Sequence, residues 1–348
     1  MTATAPIHDT SPESARRPPR RTLTDSGWPF DPARRRENYG FFGPDSPTWR
    51  VWSSPTSLIA FQRSVVLEHF DPFLTAAVAD RAGIYTDPRG RLDSTLSYFL
   101  IVALADGRSA IEASDLLTRV HADATGIEPI SGKRYSANNP DSQLWIHLTG
   151  WHSVIKCYEM YGPGPLTPTE ERRYWAECAV AAQLQTFDPA AVPADRDGIH
   201  DYFAAVRPRL CTSERARRGM HYLLRTPLSQ SNAQFAVLSN LTAPAVIATL
   251  PRWMRELGDM DQPSIVDVVY RPLVKQAIRI AARPHITLTA LRSLPMTRAV
   301  YAQHFRGMPP LTESTVTPQE ARARLTSAHL PRDDDAPARV AIRAGASS

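Results

Sequence analysis

Residues 139–162 read NPDSQLWIHLTGWHSVIKCYEMYG, and this stretch decides the fold class. Asn139 offers a capping side chain, and Pro140 suits a first helical turn, where its missing N–H is not needed. Apolar residues then recur at three and four spacing until Gly162, a common helix stop. The stretch predicts a long helix with one face in a core.

The same grammar extends outward in both directions. Asp45-Ser46-Pro47, Ser54-Pro55 and Asp71-Pro72 each set a capping residue before a proline. Asp87-Pro88 does so ahead of RLDSTLSYFLIVALA, and Thr167-Pro168-Thr169-Glu170 opens a helix running through Trp175 and Ala182. No internal repeat and no alternating strand pattern interrupts the series. The expectation is an all-α protein: a single globular helical bundle domain over 39–310, for which globin-like packing is one way to close. Residues 1–38 are rich in Pro, Arg, Ser and Thr and read as a disordered basic arm, and 311–348 as a disordered tail.

Charge and cysteine usage narrow the function classes. Forty Lys+Arg against 35 Asp+Glu give +5, but seven arginines lie before residue 40, which leaves the globular part near neutral. Nucleic-acid binding is not expected. Cys157, Cys178 and Cys211 are odd in number and lack CxxC spacing, so free thiols in a reducing compartment are expected. No export signal is visible, and the expected location is cytoplasmic. Ser229–Pro251 is uncharged but interrupted by polar residues and Pro244. It reads as a buried helix pair, so membrane contact is not expected.

Three places hold residue types able to do chemistry. Arg91 and Thr95 are four apart and share one face of a mostly apolar helix, as a pocket for a polar or anionic group would need. Equally, Arg91 could snorkel to water and Thr95 pack locally. His121 sits at the edge of the face marked by Leu116, Leu117, Val120 and Ala124, as a ligand or as a core residue. His147 shares a face with Trp151. It could ligate a metal, bond a cofactor carboxylate or anchor two helices. HExxH, paired EExxH, GxGxxG, GxxxxGK[ST] and GxSxG are absent from the sequence, which removes zinc-hydrolase, di-iron, Rossmann, P-loop and α/β-hydrolase readings.

An ordered set of motifs then points to a family. Gly40-Phe41-Phe42-Gly43-Pro44-Asp45-Ser46-Pro47-Thr48-Trp49-Arg50 is followed by Asp71-Pro72 and by Asp87-Pro88-Arg89-Gly90-Arg91-Leu92 with Thr95 and Tyr98. Val120-His121, Tyr135-Ser136-Ala137-Asn138-Asn139-Pro140, Trp145-Ile146-His147, Tyr158–Gly162 and Leu166-Thr167 continue it. The set resembles the family of latex-clearing protein (rubber oxygenase) and the mpaB-type oxygenases, over roughly residues 40–310. The resemblance implies an all-helical fold and a histidine-ligated haem b that activates dioxygen. His121 matches the axial ligand, with His147 as rival, and Arg91 and Thr95 match the pocket residues. Implied partners are dioxygen and a small, largely apolar organic molecule. A non-catalytic haem-binding protein of the same fold and a haem-free partner protein are the alternatives. One departure stands out: many members have His-Pro where this chain has Asp71-Pro72, with His69 two residues earlier.

Overall fold

The computed structural model describes residues 27–80 and 86–329. Its helices are α1 (Pro47–Trp52), α2 (Thr56–Glu68), α3 (Pro72–Asp80), α4 (Pro88–Leu104), α5 (Gly107–Ala122), α6 (Pro140–Tyr161), α7 (Pro168–Ala182) and α8 (Arg196–Val206). They continue as α9 (Glu214–Leu224), α10 (Ala233–Thr249), α11 (Arg252–Leu257), α12 (Ser264–Ala281), α13 (Pro284–Ala290), α14 (Pro295–Arg306) and α15 (Pro318–His329). The all-α expectation holds. A small antiparallel hairpin, β1 (Thr125–Ile127) with β2 (Arg134–Ser136), pairs Thr125 with Ser136. Three residues per strand are too few to write an alternating pattern, which is why the sequence hid it.

The capped starts behave as their chemistry dictates. Ser46, Asn139 and Thr167 each accept backbone N–H bonds at a helix start followed by proline, and Thr167 forms a reciprocal box with Glu170. Helix α2 lies at the centre, packed along α6 and touching α9 and α10. Both faces of α2 are therefore buried, and this explains its run of apolar side chains. Stacked Trp52 and Phe99, with Trp151 edge-on to Trp52, fill the space between α1, α4 and α6.

Two boundaries differ from the sequence reading. Residues 27–38 are not a detached arm: Phe30 is buried, and Asn38 Oδ1 accepts bonds from the backbone of Gly40 and Gly107. Residues 311–329 are not a detached tail either. Their backbone pairs with residues 36–40, Val316 and Ala321 are buried, and α15 packs on α5. Each segment has few apolar groups, but together they bury those few against each other and α5. Gly40 permits this closure, because a Cβ there would fall 2.1 Å from the Ala105 carbonyl oxygen at a φ of 78°. The rest of the expected arm and tail, 1–26 and 330–348, lies outside the described residues.

The uncharged stretch 229–251 forms one long helix, α10, with Pro244 inside it, not a helix pair. The Gln62 amide of α2 reaches the Ser239 carbonyl just upstream of the proline. Among the described residues, no helix is long and apolar enough to cross a membrane.

Candidate functional site

Arg91 opens α4 within the first turn set by the Asp87 cap. Helix α4 is fixed in turn by Asp93, whose carboxylate accepts the N–H groups of Met296 and Thr297 at the start of α14. The Arg91 guanidinium is desolvated, which lowers its pKa, while the nearby Glu68 charge opposes that change. Thr95 sits on the same face, and its hydroxyl donates to the Arg91 carbonyl at 2.9 Å. In this state that hydroxyl proton is committed to the helix, and only its lone pairs face outward.

At the end of α2, Glu68 and His69 meet the field of Arg91. Burial pushes the Glu68 carboxyl up to about 7, against the opposing effects of the Ser64 hydroxyl and Arg91. Burial also drives His69 down to about 4, assisted by Arg91 and opposed by the Val65 carbonyl. His69 is therefore neutral at pH 7. Its Nδ1–H donates to the Val65 carbonyl at 2.6 Å, which leaves the lone pair on Nε2. Two residues on, Asp71 accepts from the N–H groups of Phe73 and Leu74 and so caps α3. The carboxylate at the family's His-Pro position is spent on helix capping.

His121 closes α5 and is half-buried. The Gln143 amide nitrogen, from the first turns of α6, lies 3.2 Å from His121 Nδ1 and also donates to the Ala137 carbonyl. The α4–α5 hairpin turns at Ala105–Asp106. Tyr98 and Ser114, equally far from Asp106 along the chain, are electrostatic neighbours: burial raises the Tyr98 pKa, and Gln185 and Ser114 oppose the rise. Arg91 and His121 are likewise equally far from Asp106 along the chain.

His147 has a different setting. It is buried, and its Nε2 donates to the Cys178 carbonyl at 2.9 Å, joining α6 to α7. Burial lowers its pKa to about 4, the Cys178 carbonyl opposing. Its Nδ1 has no partner among the described residues, and the Trp151 and Phe187 rings flank the imidazole. The structure thus brings Arg91 into the electrostatic neighbourhood of Glu68 and His69, ends the other helix of the hairpin with His121, and uses His147 as a tie between helices.

Glu68, Gln143 and Arg63 escaped the sequence reading. The signal was present for two of them: Gln62, Arg63, Ser64 and Glu68 are polar interruptions in a helix that is otherwise apolar. Gln143 carries no such mark.

The donor set suits one kind of iron site better than another. Among the described residues, no group of three or more His, Cys, Asp or Glu is placed to hold a bare metal ion. A haem supplies four ring nitrogens itself and asks the protein for a single neutral histidine. His121 can serve in that way, provided its Nε2 is freed of its proton, and Arg91 can face an acid group.

An all-helical domain with ionisable groups sunk between its central helices is the class that the fold and these residues define. Residues 49–283 match the model of the family described as ER-bound oxygenase mpaB/B'/rubber oxygenase, catalytic domain, and the chain belongs to that family. It therefore carries an oxygenase catalytic domain. No curated protein and no solved structure matches the chain.

Proposed function

We propose that the protein is a haem b-dependent oxygenase that oxidises or cleaves a small, largely apolar molecule with dioxygen. The observation that carries this reading is the electrostatic coupling of Arg91 to the buried Glu68 and His69, on a helical hairpin whose second helix ends with His121. His121 would hold the iron, with Gln143 orienting its ring. When bound, haem supplies the redox chemistry for activating dioxygen. Arg91 binds an anionic or polarised oxygen group. Glu68, poised near neutrality, accepts or returns a proton at its carboxyl oxygen. The rings of Trp52, Phe99 and Trp151 keep water from the core behind α4. The free cysteines Cys157, Cys178 and Cys211 support a reducing, cytoplasmic setting.

Purified full-length protein supplied with haem tests this by pyridine haemochrome analysis and by dioxygen consumption with an apolar olefin. A stoichiometry near one haem per chain with substrate-dependent uptake is expected. A stoichiometry near zero overturns the haem assignment.

A further inference from the structure

Arg63 is a buried charge without a counter-charge among the described residues. It lies on α2 at 2% exposure. Its Nη1 donates to the Ser153 hydroxyl at 2.7 Å and lies 3.5 Å from His152 Nδ1, while its Nε is buried with no partner among the described residues. Arg36 and Arg91 feel Asp106 and Glu68 respectively, whereas Arg63 has no carboxylate at ion-pair distance among the described residues. The group favouring its charge is the Cys157 thiol, which burial pushes up to about 12 and which is therefore neutral at pH 7. Burial brings the guanidinium down only to about 10, so it stays charged.

Among the described residues, the surroundings add positive charge, and the nearby carboxylates are taken up by Arg196. Protonation of His152 is opposed first by burial and then by Arg63, Lys156, His200 and Arg196. Arg196 is neutralised by Glu159 and Glu171, while Lys156 and His200 have no ion pair among the described residues. Burying an uncompensated guanidinium is costly, so a fold retains one where something charged completes it. The orphan Nε leaves one edge of the planar fork unsatisfied, and a planar, singly charged carboxylate matches such an edge. The Phe203 ring, 4.9 Å from that of His152, gives the spot an apolar wall.

We propose that Arg63, supported by Ser153 and His152, is the seat of a carboxylate. The carboxylate comes from a haem propionate or from a free organic acid that the enzyme takes as substrate or releases as product. The first source rests on the haem reading; the second does not.

Two arms separate them in full-length protein. In the first, hexanoate and hexanamide are compared by thermal denaturation at matched ionic strength. In the second, affinity for haem b is compared with that for its dimethyl ester. Each is repeated with Arg63→Met, and with Arg63→Lys in case the methionine variant does not fold. A free acid predicts that the midpoint rises with hexanoate alone and that the rise vanishes in the variants. A propionate predicts roughly tenfold or greater preference for haem over its ester, lost in the variants. Either result supports the assignment. If wild type discriminates in neither arm, or the variants discriminate equally, Arg63 is not an anion site. If neither haem nor its ester binds, the haem reading fails and the hexanoate arm alone decides this one.

Discussion

The Gln143 amide nitrogen lies 3.2 Å from His121 Nδ1 while also donating to the Ala137 carbonyl. That double donation makes Nδ1 an acceptor and puts the imidazole proton on Nε2, the nitrogen an iron would need. Turning the amide would set its oxygen against the Ala137 carbonyl. Loading iron on His121 therefore requires either loss of the Nε2 proton or release of Gln143. Gln143→Glu offers a carboxylate to Nδ1–H instead and is expected to raise ligand basicity. Haem titration followed in the Soret region should show retention at least equal to wild type and a lower reduction potential. His121→Ala should lose the haem. Retention by His121→Ala would move the ligand elsewhere, with His69 first in line because its Nε2 already carries the lone pair.

His147→Ala is expected to cost stability and leave haem content unchanged. The side chain ties α6 to α7 through the Cys178 carbonyl and packs against Trp151 and Phe187. Losing that bond and leaving a void costs about 2–4 kcal/mol. Urea denaturation at pH 7 measures the cost. A stable variant that loses its haem would make His147 a cofactor residue.

The helical class and most helix starts were legible in the sequence because capping is local: Asn139, Thr167 and Asp87 act on N–H groups two or three residues away. The candidate site was legible only in part. Arg91 and Thr95 share a face by spacing alone, but Glu68 gains its character from burial beside a helix that begins some twenty residues later. Residues 27–38 and 311–329 looked like tails because each lacks a periodic apolar face. Their order comes from pairing with each other, which no local pattern encodes.

That pairing makes truncation informative. Removing 1–26 leaves every described contact in place. A chain beginning at Glu37 also loses buried Phe30 and the Arg36 contacts with Gln303 and the Trp49 ring. Burial of one phenylalanine contributes about 1.5–3 kcal/mol, so the melting midpoint should fall by several degrees. A chain ending at Pro310 should fall similarly through loss of Val316 and Ala321. Unchanged midpoints would mean that these segments only lie on the surface.

Stability should pass through a maximum near neutrality. His69 and His147 are held down to about 4 from an ordinary 6.5, so the stability they contribute is full above 6.5 and is lost as pH falls to 4. Glu68 has the opposite sign. Raised from 4.5 to about 7, it stabilises the fold fully below 4.5, and that contribution disappears as pH climbs through 7. Glu68→Gln removes the second effect. Relative to wild type, the variant should gain between pH 5 and 8. The gain is at most about 3 kcal/mol, since each tenfold change in proton affinity is worth roughly 1.4 kcal/mol. Denaturant midpoints across that range measure it, and a pH-independent difference would rule out titration of Glu68.

Arg91 and Thr95 should not behave alike. The Arg91 charge is desolvated and restrains the Glu68 carboxyl, whereas the Thr95 hydroxyl is already bonded to the Arg91 carbonyl. Arg91→Ala removes a charge-assisted contact worth about 1.5–3 kcal/mol, or roughly ten- to a hundredfold in turnover if it acts in the transition state. It also frees Glu68 to bind its proton more tightly, so the acid limb of the activity profile should move to higher pH. Thr95→Ala loses only a back-bond within its own helix, and turnover should change less than about threefold. Haem content, activity and the pH profile of both variants decide among the roles. Haem retained, turnover lost and the acid limb moved in Arg91→Ala supports a binding and proton-tuning role. Loss of haem in both variants would make this face a structural support for the cofactor. Wild-type activity in both would make Arg91 a desolvated packing partner of Glu68 with no part in the reaction.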